Sequence, residues 1–168
     1  MARYAENTSV SIESSQAEIA GLIRRYGARR YASGFDEDKR LAVIQFEAQG
    51  RRILFRLTMP NPRDREFTHN ARGQARTATQ ADNAYAQECR RLWRSLALVI
   101  KSKLESVESG IETFEQAFLA NVVLPDGATV GEYLAPQIAE SYRTRAMPPM
   151  LPGVDPRVMA LPSPGEQS

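Results

Sequence analysis

Between Arg29 and Met59 apolar residues recur at every second position, and between Tyr85 and Val107 they recur at every third or fourth. Successive strand residues face opposite ways, whereas a helix returns to the same face every 3.6 residues. The two periods therefore predict a small sheet followed by one long helix. Within the first segment, Asp36-Glu37-Asp38-Lys39 and Gln49-Gly50 punctuate the alternation, which gives three antiparallel strands joined by two turns. Ala42, Ile44, Phe46 and Ala48 share one face of the second strand. Ile53, Phe55, Leu57 and Met59 do the same on the third, where Arg52, Leu54 and Arg56 point the other way. Pro60 and Pro62 end the sheet because proline cannot donate to a ladder.

Helix boundaries follow from capping patterns. Ser15-x-x-Glu18 reads as a capping box ahead of Ile19, Leu22, Ile23 and Tyr26, with Gly27 closing that first helix. Thr77-x-x-Gln80 caps the long helix, expected from about Gln80 to Val107. Tyr85, Cys89, Leu92, Trp93, Leu96, Val99, Ile100, Leu104 and Val107 make its apolar face, and Arg90, Arg94 and Lys101, with Arg91 nearby, make a basic stripe expected on the opposite side. Ser109-Gly110 breaks it, and a short helix carrying Phe114, Ala117 and Phe118 follows. After Val122-Val123-Leu124 and the turn Pro125-Asp126-Gly127, Thr129-x-x-Glu132 opens a last helix with Val130, Leu134 and Ile138 inward and Pro136 kinking it or delaying its start. The fold class is α+β. Residues 1–12 read as a flexible arm, 13–146 as one domain, and 147–168, with six prolines, as a proline-rich tail.

Counts exclude several chemistries. One cysteine, Cys89, allows no internal disulfide, and with a single histidine, His69, it supports no Cys/His zinc constellation. His69 lies in the polar stretch from 61 to 79 and reads as a turn-stabilising residue rather than a general base; Cys89 falls on an apolar helix face, where thiols are inert packing. Asp36-Glu37-Asp38 reads as a solvated turn, since three consecutive acids do not converge on a cation. No phosphate-cradling loop, dinucleotide fingerprint or nucleophile elbow occurs; Gly127-Ala128-Thr129-Val130-Gly131 is too short and wrongly placed. No catalytic residues, metal or cofactor are expected. No apolar run approaches the roughly 20 residues that span a bilayer, and the opening Met1-Ala2-Arg3-Tyr4-Ala5-Glu6 is polar, so the cytoplasm is the expected location.

The net charge of +2 is unevenly spread: residues 1–50 carry seven basic and seven acidic residues, 51–103 twelve and four, and 104–168 three and nine. Nineteen of the 22 basic residues are arginine, whose planar fork suits phosphate or carboxylate. A nucleic-acid interface built from Arg52, Arg56, Arg63, Arg65, Arg72, Arg76, Arg90, Arg94 and Lys101 is the leading expectation, with Tyr31, Phe35 and Phe67 as the aromatic residues available to stack on bases. Two other readings use the same charges: a solvated face paired with the acidic C-terminal third, and head-to-tail self-association of basic and acidic faces.

Four stretches carry a resemblance: Ser15-Gln16-Ala17-Glu18-Ile19, the run from Arg91 to Lys101, Val123-Leu124-Pro125-Asp126-Gly127, and Met147-Pro148-Pro149-Met150-Leu151-Pro152. Over roughly residues 12–152 the chain resembles a group of small bacteriophage and prophage proteins, which implies a host-cell setting and no particular mechanism. Three antiparallel strands followed by a long helix are also similar in order to the core of phage single-strand annealing proteins, which implies DNA binding along a basic groove and ring assembly. The double-stranded-RNA-binding module shares the order helix, three strands, helix, but its lysine-rich clamp has no counterpart here, where Arg90, Arg91 and Arg94 lie elsewhere. The expected function is thus a non-enzymatic DNA-binding accessory protein of phage replication or recombination, without sequence specificity and able to form homo-oligomers; the alternative is a structural or regulatory module that binds a phage or host protein.

Overall fold

A computed structural model describes residue 5 and residues 7–146. The chain runs α1 (Ile12–Arg25), β1 (Arg29–Asp36), β2 (Leu41–Ala48), β3 (Arg51–Thr58), α2 (Arg65–Thr68), α3 (Ala78–Glu108), α4 (Phe114–Phe118), a 3-10 turn (Leu119–Asn121) and α5 (Val130–Thr144). The α+β class and the three-strand antiparallel meander, in order β1-β2-β3, match the sequence reading. Gln49 and Gly50 both have positive φ, 49° and 72°, the mirror-image turn whose twist suits a two-residue hairpin. Ile44 pairs with Phe55 and Phe46 with Ile53, so the apolar rows of β2 and β3 lie side by side.

Helices α1, α3 and α4 cover that apolar face. Ile19, Ile23, Ile44, Phe46, Ile53, Ala97, Ile100 and Phe118 are almost entirely buried in one core. Phe118 meets Phe46 edge-on at 6.1 Å and Phe55 at 6.3 Å, and stacks on Phe114 at 4.7 Å, so α4 is held by an aromatic cluster. Replacing a ring at such a position by alanine costs about 3–5 kcal/mol. α1 and α3 run in the same direction: Gln87 reaches the Thr8 carbonyl, Arg94 pairs with Glu18, and the Tyr26 hydroxyl donates to Glu108.

Several local expectations are corrected. α1 begins one turn early, capped by the Ser11 side chain on the Ser14 N–H; Ser15 is buried inside the helix with an unpartnered hydroxyl, and Glu18 serves Arg94 instead of a capping box. Thr77 and Thr129 do form full capping boxes with Gln80 and Glu132. Val99 is 46% exposed, because the buried line of α3 runs through Cys89, Trp93, Ala97, Ile100 and Leu104. α5 starts directly after Thr129 despite Pro136 and buries none of its residues fully; Ile138, read as inward, is 42% exposed. Phe67, read as exposed, is buried and packs edge-on against Tyr85 at 5.6 Å.

The segment after α4 closes part of the outer edge of β3. The Val123 N–H donates to the Arg52 carbonyl, the Asn121 amide to the Leu54 carbonyl, and Val122 bridges to Ile53. Backbone groups that a bare edge would expose are thereby paired. No helix among the described residues is long and apolar enough to cross a membrane. The proline-rich segment 147–168 lies outside the described residues.

Candidate nucleic-acid interface

The nine cations singled out from the sequence do not form one surface. At roughly 100° per residue, Arg90, Arg94 and Lys101 lie about 80° from the line of Trp93 rather than opposite it, on the flank of the buried stripe. Arg94 accordingly pairs with Glu18 of α1, Arg90 donates to the Gln87 side chain, and Lys101 stands exposed. Arg91 is held by Glu88. On the outer face of β3, Arg56 pairs with Glu132 of α5, while Arg52 is exposed. Arg76 is structural: its guanidinium donates to the carbonyls of Glu66 (2.8 Å) and Phe67 (3.0 Å).

Arg63, Arg65 and Arg72 stand exposed on an ordered loop. Asn70 organises it, its side-chain oxygen accepting from the Arg72 and Gln74 N–H groups, while His69 and Ala75 form a bridge and Phe67 anchors the base. The Arg65 guanidinium lies against Gly73, 3.9 Å from where a Cβ there would sit. None of these three arginines has an ion-pair partner among the described residues.

A second cluster lies at the other end of the sheet, about 26 Å away for an eight-residue strand at about 3.3 Å per residue. Register places Arg29 and Arg52 on either side of Glu47, and Arg51 opposite Ala48. Arg30 also reaches Glu47, at 3.2 Å. Four exposed arginines thus gather around the β2–β3 turn, one of them paired with Glu47. They flank two shallow concavities, about 430 Å³ beside Gly27 and Arg29 and about 400 Å³ beside Arg51, Arg52 and Pro125. Of these arginines the sequence reading had included only Arg52. Arg29, Arg30 and Arg51 become legible once the Gln49-Gly50 hairpin fixes the register.

Groups suited to catalysis are engaged otherwise. The His69 Nδ1 lies 3.0 Å from the Thr68 hydroxyl, with no carboxylate hydrogen-bonded to the ring among the described residues. Burial pushes the Cys89 thiol above its ordinary pKa, opposite to what a nucleophile requires. The Asp36 carboxylate accepts from the Lys39 N–H, which holds it below the usual range, and also faces the Lys39 ammonium at 3.5 Å. No group of three His, Cys, Asp or Glu residues able to hold a metal occurs among the described residues.

Comparison with protein-family models, curated proteins and solved structures found no match. The interface therefore stands on its own geometry.

Proposed function

We propose that this chain is a DNA-binding accessory protein that contacts phosphates through the arginines at the β2–β3 turn, with the loop arginines as a second contact. The observation that carries this reading is the clustering at that turn: Arg29 and Arg52 flank Glu47 in register, Arg30 pairs with it, and Arg51 stands exposed beside them. Like charges held together with so little compensation favour a polyanion that releases counterions on binding. The setting in phage replication or recombination comes from the sequence resemblance alone.

Non-specific binding of this kind has a Kd of roughly 10⁻⁴ to 10⁻⁶ M at physiological salt. If the turn neutralises about three phosphates, charge reversal by R51E and R52E together should flatten the dependence of log K on log salt by about 2–3 units, from about 0.7 per phosphate for single strands to about 0.9 for duplex. Both residues are exposed, and because R52E sets an acid opposite Glu47, circular dichroism checks that the fold is retained. Unchanged affinity and slope in fluorescence anisotropy would rule the turn out. Reversing Arg94 is a poorer test, because it would set a second acid against Glu18. One observation favours a second reading, a protein-interaction module: α5 leaves Ile138 and Tyr142 42% and 84% exposed on one side. A chain that ignores DNA while I138E and Y142E abolish capture of a partner would support that module.

A further inference from the structure

Only one of the two sheet edges is covered. The segment after α4 pairs with part of β3, whereas Ala32, Ser33, Gly34 and Phe35 of β1 are exposed, and among the described residues only β2 pairs with them. β1 keeps a regular register with β2 from Ala32 to Asp36; before Ala32 a bulge and the positive φ of Arg30 interrupt it. The free rim is therefore five residues long with Gly34 at its centre. A Cβ added there would meet nothing within 4 Å.

Charge decides what such a rim accepts. Arg29 and Arg30 stand at its N-terminal end, and Asp36, Glu37 and Asp38 at its C-terminal end. Arg30 already pairs with Glu47 and Asp36 with Lys39, while Arg29, Glu37 and Asp38 have no ion pair among the described residues. An antiparallel strand of the same sequence sets base against acid at both ends, whereas a parallel one sets like against like.

We propose that the β1 edge seats a second copy of itself, giving a two-fold symmetric dimer with one continuous six-stranded sheet. Gly34 then faces its own counterpart, Ser33 faces Phe35, and Ala32 faces Asp36, with about four to six backbone hydrogen bonds across the seam. Ser33 and Phe35 point to the helix side of the sheet, since they pair with the buried Ile44 and Ala42. On that side a groove of about 500 Å³ reaches Ser33 and Phe35, with Met59, Cys89 and Trp93 as its nearly buried floor. The Phe35 ring, 53% exposed in the single chain, is brought opposite Ser33, at the mouth of the other copy's groove. Beyond the ladder, Glu37 and Asp38 come alongside Arg29 and Arg30 of the other copy. Arg51 and Arg52 start β3, two strand spacings or about 10 Å from the seam, and stay open.

Light scattering without nucleic acid tests this pairing separately from the DNA reading. The mass of the full chain should double with rising concentration. R29E/R30E makes the N-terminal end acidic and E37K/D38K makes the C-terminal end basic, so each variant alone should dimerise about tenfold more weakly. An equimolar mixture, in which every end again meets its opposite, should return close to the parental constant. Register is tested by cysteines. Opposed residues of an antiparallel pair have Cα atoms about 4.5–5.5 Å apart, within disulfide range, whereas diagonal neighbours about 7–8 Å apart are beyond it. Under oxidation G34C should therefore crosslink and S33C should not, with the parent, whose Cys89 is buried, as the blank. A parent that stays monomeric at every concentration would overturn the proposal. So would a dimer that survives both charge variants, or S33C linking as readily as G34C. Should R29E/R30E, which lies beside Glu47, perturb the circular dichroism, the cysteine pair decides.

Discussion

The same substitution, glycine to alanine, should have opposite effects in two helices of this protein. Gly131 lies in the first turn of α5, where a Cβ would fall 2.8 Å from the Ala120 carbonyl oxygen and 3.2 Å from the Ala120 Cβ. The neighbour is backbone, so it cannot swing aside as a flexible side chain would. Overpacking of this kind costs about 1–3 kcal/mol, offset by less than the full helix-propensity gain of about 1 kcal/mol because the site is at the helix start. Gly21 lies within α1, and its Cβ would meet nothing within 4 Å. G21A should therefore stabilise by about 0.8–1 kcal/mol and G131A should destabilise by about 1–2 kcal/mol. The gap between them, about 2–3 kcal/mol, corresponds to roughly 6–10 °C in Tm for a domain of this size. Thermal and urea unfolding followed by circular dichroism would measure it. If G131A proved as stable as the parent, the first turn of α5 would not lie against Ala120.

Two serines four residues apart supply a second test. S11A removes the cap of α1 and should cost about 0.5–1 kcal/mol, whereas S15A removes a buried hydroxyl without a partner and should be neutral or stabilising by about 1 kcal/mol. Urea midpoints in the reverse order would restore the capping box at Ser15. A third concerns acid. Glu132 is held below the ordinary glutamate pKa, first by the Thr129 N–H and further by the Thr129 hydroxyl and the nearby Arg56. A carboxylate depressed in the folded state adds stability that is complete above its unfolded value, near 4.3, and lost as pH falls through the lowered one. Stability should therefore decline below about pH 4. That decline should be shallower in E132Q, and a parallel loss in both proteins would show that Glu132 is not the group responsible.

How far the sequence alone leads differs from element to element. The meander is legible because strand side chains alternate strictly and the Gln49-Gly50 turn leaves a single register, and the capping boxes at Thr77 and Thr129 are local chemistry that needs no tertiary context. Ser11 and Ser15 are both plausible caps by pattern, and only burial against the core distinguishes them. On α3, counting Val99, Leu92 and Leu96 as core shifts the apparent centre of the apolar face, and with it the supposed opposite side. Arg90 and Arg94 consequently looked like a free stripe, whereas α1 lies beside them and takes Arg94 through Glu18, a partner 76 positions away. The last helix shows the converse limit: its amphipathic spacing is real, but spacing cannot say whether anything packs on the apolar side. Within the candidate interface, the loop arginines were visible as composition, while the turn cluster emerges only when three strands are aligned.

The unequal treatment of the two sheet edges bears on how copies of this protein could aggregate. On β3, residues 52–54 already have partners in the chain that follows α4, and what remains is a short remnant. On β1 the pairing is irregular between Arg29 and Ala32, with Arg30 at a φ of 53°, so only Ala32–Asp36 continue as a regular ladder. Stacking of many molecules edge to edge requires two long, flat rims, and this one has neither. Sheet growth is thereby self-limiting, and a concentrated solution should form at most small assemblies by strand pairing rather than fibres.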